Sequence, residues 1–160
     1  MPCSTMPIAH SFQATDAVFT AQRWVRFSDC DPAGMVFYPH YFVMLNGLVE
    51  DWFTHALRVD YATLLGPRSI GLPMVSMQCD FNKPSRMGES ITFHLRLLRQ
   101  GSRSLTLSVH CTGTLPPQSL RWSAQFVMVT TSLAHEGSIL IPQDIVQGIT
   151  RWKNLSEESS

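Results

Sequence analysis

Hydrophobic positions along the chain follow two periods. Over residues 39–57, Phe42, Leu45, Leu48, Val49, Trp52, Phe53 and Leu57 recur at helical spacing and form one apolar stripe. Pro39 suits the first position of that helix, where no N–H is needed. A stripe so apolar cannot face water and must lie on a sheet. Gly47 interrupts the helix at a cost of ~1 kcal/mol relative to Ala, which calls for either close packing or room for a ligand or partner helix. A shorter helical piece is expected at 60–66. Beyond it the period drops to two: Phe93, Leu95 and Leu97 alternate with Thr92, His94 and Arg96, and Leu105, Leu107 and Val109 repeat the pattern. This predicts strands near 72–84, 89–100, 103–114 and 120–133, separated by turns at Gly88-Glu89, Gln100-Gly101-Ser102 and Leu115-Pro116-Pro117. An earlier strand, rich in Val, Phe and Trp, is expected at 17–27.

The order is thus one strand, a long apolar helix and a run of four strands, an α+β arrangement. Short turns make successive strands antiparallel neighbours. The simplest solution is a single domain over 17–153, with a twisted sheet around the helix. Residues 1–16 are polar and aperiodic and read as a flexible tail, and residues 154–160 as a frayed one. One sheet over one helix leaves edge strands and the far side of the helix uncovered, which a second copy would cover.

Composition sharpens this picture in a few respects. Charged residues are only 15% of the chain, against a typical ~25%, as expected if part of the surface meets another subunit. The formal net charge is zero, so a nucleic-acid or membrane-surface binder is not indicated. The four cysteines (Cys3, Cys30, Cys79 and Cys111) form no CxxC and match no zinc spacing, and are read as free thiols; no metal is expected. No leader with a basic and then an apolar region is visible, and no run of ~18 apolar residues occurs, which points to a cytoplasmic protein.

The candidate chemistry lies in Ser28–Tyr38. Asp31 precedes Pro32 and so is held extended, in a turn completed by Gly34, directly ahead of the long helix. The first amides of a helix lack intrahelical partners and carry the positive end of its dipole. A carboxylate and an electrophilic cradle a few residues apart are a minimal kit for attack on an acyl group. The same Asp could instead simply cap its turn. Asp29 would share a face with Asp31 if the strand ran on, and Cys30 has no His near it in sequence to act as a base.

The segment F-S-D-C-D-P-A-G-M-V-F-Y-P-H-Y-F (27–42) closely resembles the opening motif of the 4-hydroxybenzoyl-CoA thioesterase family, and a looser likeness extends over residues 20–135, through GLPMVSMQCDFNKP. The resemblance implies a hotdog fold, a five-stranded antiparallel sheet wrapped around a central helix, in homodimers or homotetramers. It implies an acyl-CoA thioesterase, with coenzyme A as part of the substrate and no cofactor. Asp31 matches the catalytic aspartate, as nucleophile or general base. The backbone N–H of Tyr38 matches the group that polarises the thioester carbonyl, and Gly34 serves the turn. Asn46 stands where the benzoyl-specific enzyme has a helical aspartate, and a neutral amide cannot select a phenol by charge. His40 and Glu50 are further substrate-binding candidates, Glu50 also because a second hotdog class uses a helical Glu. Coenzyme A phosphates want cations, and Arg103, with Arg99, Lys83 and Arg86 in support, is the candidate set. An acyl-carrier-protein thioesterase and a non-catalytic acyl-thioester binding module are the alternatives.

Overall fold

The computed structural model describes residues 17–158, so the tail expected over 1–16 lies outside the described residues. In chain order the elements are β1 (Phe19–Trp24), α1 (Tyr38–Asp51), α2 (Tyr61–Leu65), β2 (Ile70–Gly71), β3 (Met74–Phe81), β4 (Ser90–Gln100), β5 (Ser104–Gly113), β6 (Leu120–Val129), β7 (Thr131–Ser132) and α3 (Gln143–Glu158). Five strands form one antiparallel sheet in the order β1-β4-β5-β6-β3, and β2 pairs with β7 in a small ribbon.

Strict alternation decides which face of the sheet is buried. Ile91, Phe93 and Leu95 of β4, Leu105, Leu107 and Val109 of β5, and Trp122, Ala124 and Phe126 of β6 all point inward. Onto this face α1 lays Tyr41, Leu45, Leu48 and Val49. Each such side chain contributes roughly 1.5–3 kcal/mol by leaving water. The stripe differs in one member from the sequence reading. Tyr41 is buried and Phe42 only half-buried, because Tyr41 sits a full turn ahead of Leu45 and packs at a tilt against Trp122, ring centroids 5.4 Å apart.

Four boundaries depart from the periodicity. The first strand stops at Trp24, and Phe27–Asp29 turn into a 3-10 helix in which Asp29 Oδ2 accepts the Arg26 N–H. Asp29 and Asp31 therefore do not share a strand face. The last long strand breaks at Thr130, whose buried hydroxyl donates to the Ile139 carbonyl, and the chain then leaves to pair with β2. The long helix ends its α portion at Asp51 and widens into one π turn over Trp52–Ala56. α3 runs through Glu158, past residue 153 where the domain was expected to end, with Ile145, Ile149 and Trp152 at intervals of four and three residues, all buried. α3 also crosses very near the π turn. A Cβ on Gly148 would stand 2.5 Å from the Leu57 carbonyl oxygen, which the Arg151 guanidinium bonds at 2.6 Å.

Candidate active site

Residues 29–37 fold back on themselves ahead of α1. The Phe37 N–H bonds the Asp29 carbonyl, Cys30 bridges Val36, and the Asp31 N–H bonds the Met35 carbonyl. Asp31 and Gly34 close the tip through a 2.9 Å bond from the Gly34 N–H to the Asp31 carbonyl, with Gly34 at φ +73°. That left-handed backbone is why glycine stands there. Asp31 Oδ1 accepts the Ala33 N–H at 2.8 Å, so the carboxylate does cap its own turn. Its second oxygen takes no hydrogen bond among the described residues, and the side chain is only half-buried.

A second segment fastens this hairpin from the side. The Val36 N–H bonds Ser85 O at 2.9 Å, the Met87 N–H bonds Gly34 O, and Met35 bridges Arg86. Ser85 is fully buried and its Oγ accepts the Tyr41 hydroxyl at 2.8 Å. Burial pushes the Tyr41 phenol above its ordinary range, and the bond to Ser85 pulls partly the other way. The carboxylate hairpin is thus tied through Ser85 to the first turn of the helix it precedes.

α1 begins at Tyr38, with Pro39 next. The Tyr38 N–H has no intrahelical acceptor by helical geometry. The neighbouring amides are already used, Phe37 N–H by Asp29 O and His40 N–H by Phe37 O. Beside Tyr38 lies an open cavity of about 300 Å³, lined by Met35, Tyr38, Tyr41, Phe81 and Lys83 among others. Tyr38 and Phe81 face each other edge-on at 6.2 Å, and both are exposed. Asp31 is not in its wall, but its main-chain partner Met35 is. The Asp31–Met35 pairing places the carboxylate on the hairpin strand opposite the one that leads into Tyr38.

The other sequence candidates separate into groups. His40 stays with the site: its Nδ1 is 3.8 Å from Asp29 Oδ1, and its ring packs near Phe37. Asn46 and Glu50 share the exposed face of α1, roughly 12 and 18 Å along the axis from Tyr38. The same outward side carries Val43, 65% exposed, and Gly47, where an added Cβ meets nothing within 4 Å. Close packing against the described residues therefore does not explain Gly47. Cys30 offers no activated thiolate: burial, then the charges of Asp29 and Asp31, raise its pKa. Lys83 and Arg86 lie at the Asp31 end of the sheet, where the Lys83 N–H bonds Arg121 O. Arg99 and Arg103 lie at the opposite end of β4, roughly 33 Å away, with the Arg103 guanidinium bonded to Ser138 O. One set of phosphates cannot touch both groups within one chain.

Sequence reasoning missed Tyr41 and Ser85, the buried pair behind the hairpin. Tyr41 was within reach, since it stands four residues ahead of Leu45 and seven ahead of Leu48. No local signal marks Ser85, which is buried by a long-range contact.

Comparison with solved structures places this architecture. A 1,4-dihydroxy-2-naphthoyl-CoA thioesterase from Synechocystis superposes with a TM-score of 0.76 at 21% identity, over 83% of this chain and 96% of that one. The 4-hydroxybenzoyl-CoA thioesterase from Pseudomonas sp. strain CBS-3 gives 0.75 at 24% identity, over 82% and 99%. A Staphylococcus aureus protein solved in complex with CoA gives 0.76 at 14% identity, over 90% and 89%. The fold is the hotdog fold. No curated protein sequence matches the chain. The profile of the thioesterase-like superfamily matches residues 25–149, a span that contains the carboxylate hairpin, α1 and the five-stranded sheet from β3 onward, and the chain belongs to that superfamily.

Proposed function

We propose that this protein hydrolyses acyl-CoA thioesters to a free acid and coenzyme A. The observation that supports it most directly is the rigid hairpin that carries a carboxylate with one free oxygen to the unpartnered amide end of α1, beside an open cavity. The thioesterase-like family and the CoA thioesterases sharing the fold agree with that reading. In this mechanism the thioester carbonyl oxygen accepts the Tyr38 N–H, and the positive end of the α1 dipole stabilises the oxyanion that forms. Asp31 acts on the carbonyl carbon, either directly as nucleophile or by taking a proton from water. The CoA thiolate leaves readily, so the residues present need no metal to activate it. Gly34 fixes the hairpin tip, and His40, paired with Asp29, borders the carbonyl position.

The acyl group would extend over Met35, Tyr38 and Phe81 and along the exposed face of α1, past Asn46 toward Glu50. An uncharged amide at Asn46 gives no preference for a phenolic acyl group. Assembly is part of the proposal. Among the described residues the outer edge of β3 is unpaired, and Val75 and Phe81 on that strand are 60% and 50% exposed. A second copy laid there would cover the edge and wall the cavity. Arg99 and Arg103 would then serve a substrate bound to a neighbouring copy, and Lys83 one bound to its own.

Thiol release from a panel of short, long, branched and aromatic acyl-CoAs tests the reading. Turnover of at least one class, with the corresponding carrier-protein esters untouched, is expected. Tight CoA binding without turnover of any ester would leave a binding module instead.

A further inference from the structure

Apart from the Tyr38 cavity, the same end of the sheet holds a larger one of about 640 Å³, within the size range of small-molecule sites. Its floor is the end of β1 and the start of β4, with Gln22, Trp24 and Ser90. Its roof is the β5–β6 hairpin, Leu115 to Pro117, and Lys83 and Arg121 stand at the back. The roof is pinned in place. The Thr114 N–H and hydroxyl both bond the Ser90 carbonyl, at 3.2 and 2.6 Å, and the Gly113 N–H bonds Ser119 O. The walls are therefore formed before anything binds.

The lining has a specific chemistry. Trp24 is 64% exposed and Leu115 81%, so a broad indole face and an apolar hairpin meet water across the opening. Arg121 is neutralised by Glu89 at 3.2 Å, and one of its terminal nitrogens bonds the Pro84 carbonyl. Its Nε and the Ser90 Oγ are buried with no partner among the described residues, and both residues line the cavity. Leaving buried donors unpaired is costly, so the arrangement favours an acceptor arriving from outside. Lys83 makes no ion pair among the described residues and adds an uncompensated positive charge at the same wall.

The geometry points to a second ligand site here, one that takes a flat aromatic ring bearing an anionic group, the ring against Trp24 and the prolines and the anion on Lys83, Ser90 and Arg121. Aromatic stacking and a charge-assisted bond supply the two halves of the recognition. Two sources share this chemistry. One is the nucleotide end of a CoA ester whose acyl end lies at Tyr38, since Lys83 lines both cavities. The other is a free aromatic acid. The inference does not need the thioesterase reading, and binding is measured without turnover.

The test uses the full chain and two probes, adenosine 3′,5′-bisphosphate and benzoate, titrated by calorimetry and by tryptophan fluorescence. Trp52, Trp122 and Trp152 are buried, so quenching by a probe in this cavity reports on Trp24. At least one probe is expected to bind and quench. Trp24→Ala and Lys83→Gln, both at exposed positions, should each weaken it by about tenfold, the scale of one lost stacking or charge-assisted contact. Binding of the bisphosphate identifies the site as the nucleotide subsite, and binding of benzoate alone identifies it as an aromatic-acid site. Failure of both probes to bind, or binding that neither variant changes, overturns the proposal. Neither result bears on whether acyl-CoA is cleaved, which thiol release reads separately.

Discussion

Replacing Tyr41 by Phe removes one oxygen from a buried hydrogen-bonded pair. Tyr41 is 4% exposed and Ser85 0%, and the bond between them is 2.8 Å long. The ring still fills its place against Trp122 and Phe81, so the packing loss is small. What remains is the Ser85 hydroxyl, buried and without its partner, at a cost of about 1–3 kcal/mol. Ser85→Ala in the same background removes the stranded group, and the double variant should recover most of the loss, giving a coupling of about 0.5–3 kcal/mol. Urea unfolding of the wild type, both single variants and the double variant measures all four corners. Because Ser85 O also holds the Val36 N–H, loosening it should let the carboxylate hairpin drift from α1. The turnover number should then fall more than KM rises. Strictly additive stabilities, or a Tyr41→Phe protein as stable as wild type, would refute the claim that this buried bond secures the hairpin.

Other perturbations test neighbouring parts of the account. Gly148→Ala puts a Cβ 2.5 Å from Leu57 O, and urea unfolding should show a loss of about 1–3 kcal/mol; unchanged stability would mean that α3 does not approach the π turn so closely. Gly34→Ala meets no atom within 4 Å but must hold φ near +73°, so the loss should be about 1–2 kcal/mol by the same assay, and Gly34→Asn should lose less because Asn tolerates that conformation. His94 has its pKa lowered, first by burial and then by the charge of Arg96, below the ordinary value of about 6.5. The unfolded chain therefore takes up a proton first as pH falls. The stability contribution is complete above the unfolded value and is lost through the folded value. Unfolding measured from pH 7.5 to pH 5 should show a shallower decline in His94→Gln than in wild type, and identical slopes would contradict the assignment.

Local regularity explains how much of this was legible. The helical stripe of α1 and the alternation of β4 and β5 are short-range patterns; β4, β5 and the start of α1 lie where periodicity put them to within a residue or two, whereas the last turn expected of α1 is the π turn. Breaks in regularity were not legible, because none follows from the period of the apolar positions. β6 ends before Thr130, whose hydroxyl bonds Ile139 O, and the 3-10 turn at Phe27–Asp29 is capped by Asp29. α3 carried a readable stripe, Ile145, Ile149 and Trp152, hidden by the polar residues between and after them. Within the candidate site, Asp31, Gly34 and Tyr38 are close in the chain and so could be grouped by sequence, whereas Ser85 reaches them only through the fold. The cationic candidates show the reverse hazard. Lys83 and Arg103 look interchangeable in a sequence, and the sheet sets them at opposite ends.

The central claim is that the Asp31 carboxylate, held ahead of the α1 amides, does the chemistry. It is tested most directly by the turnover number of Asp31→Asn on whichever acyl-CoA the wild type cleaves best. Asn keeps the acceptor for the Ala33 N–H, so the hairpin should persist and the melting temperature should stay near that of the wild type. Loss of a nucleophile or general base should lower turnover by at least about 10²-fold, with KM little changed. A folded Asp31→Asn protein that turns over at the wild-type rate would contradict the account.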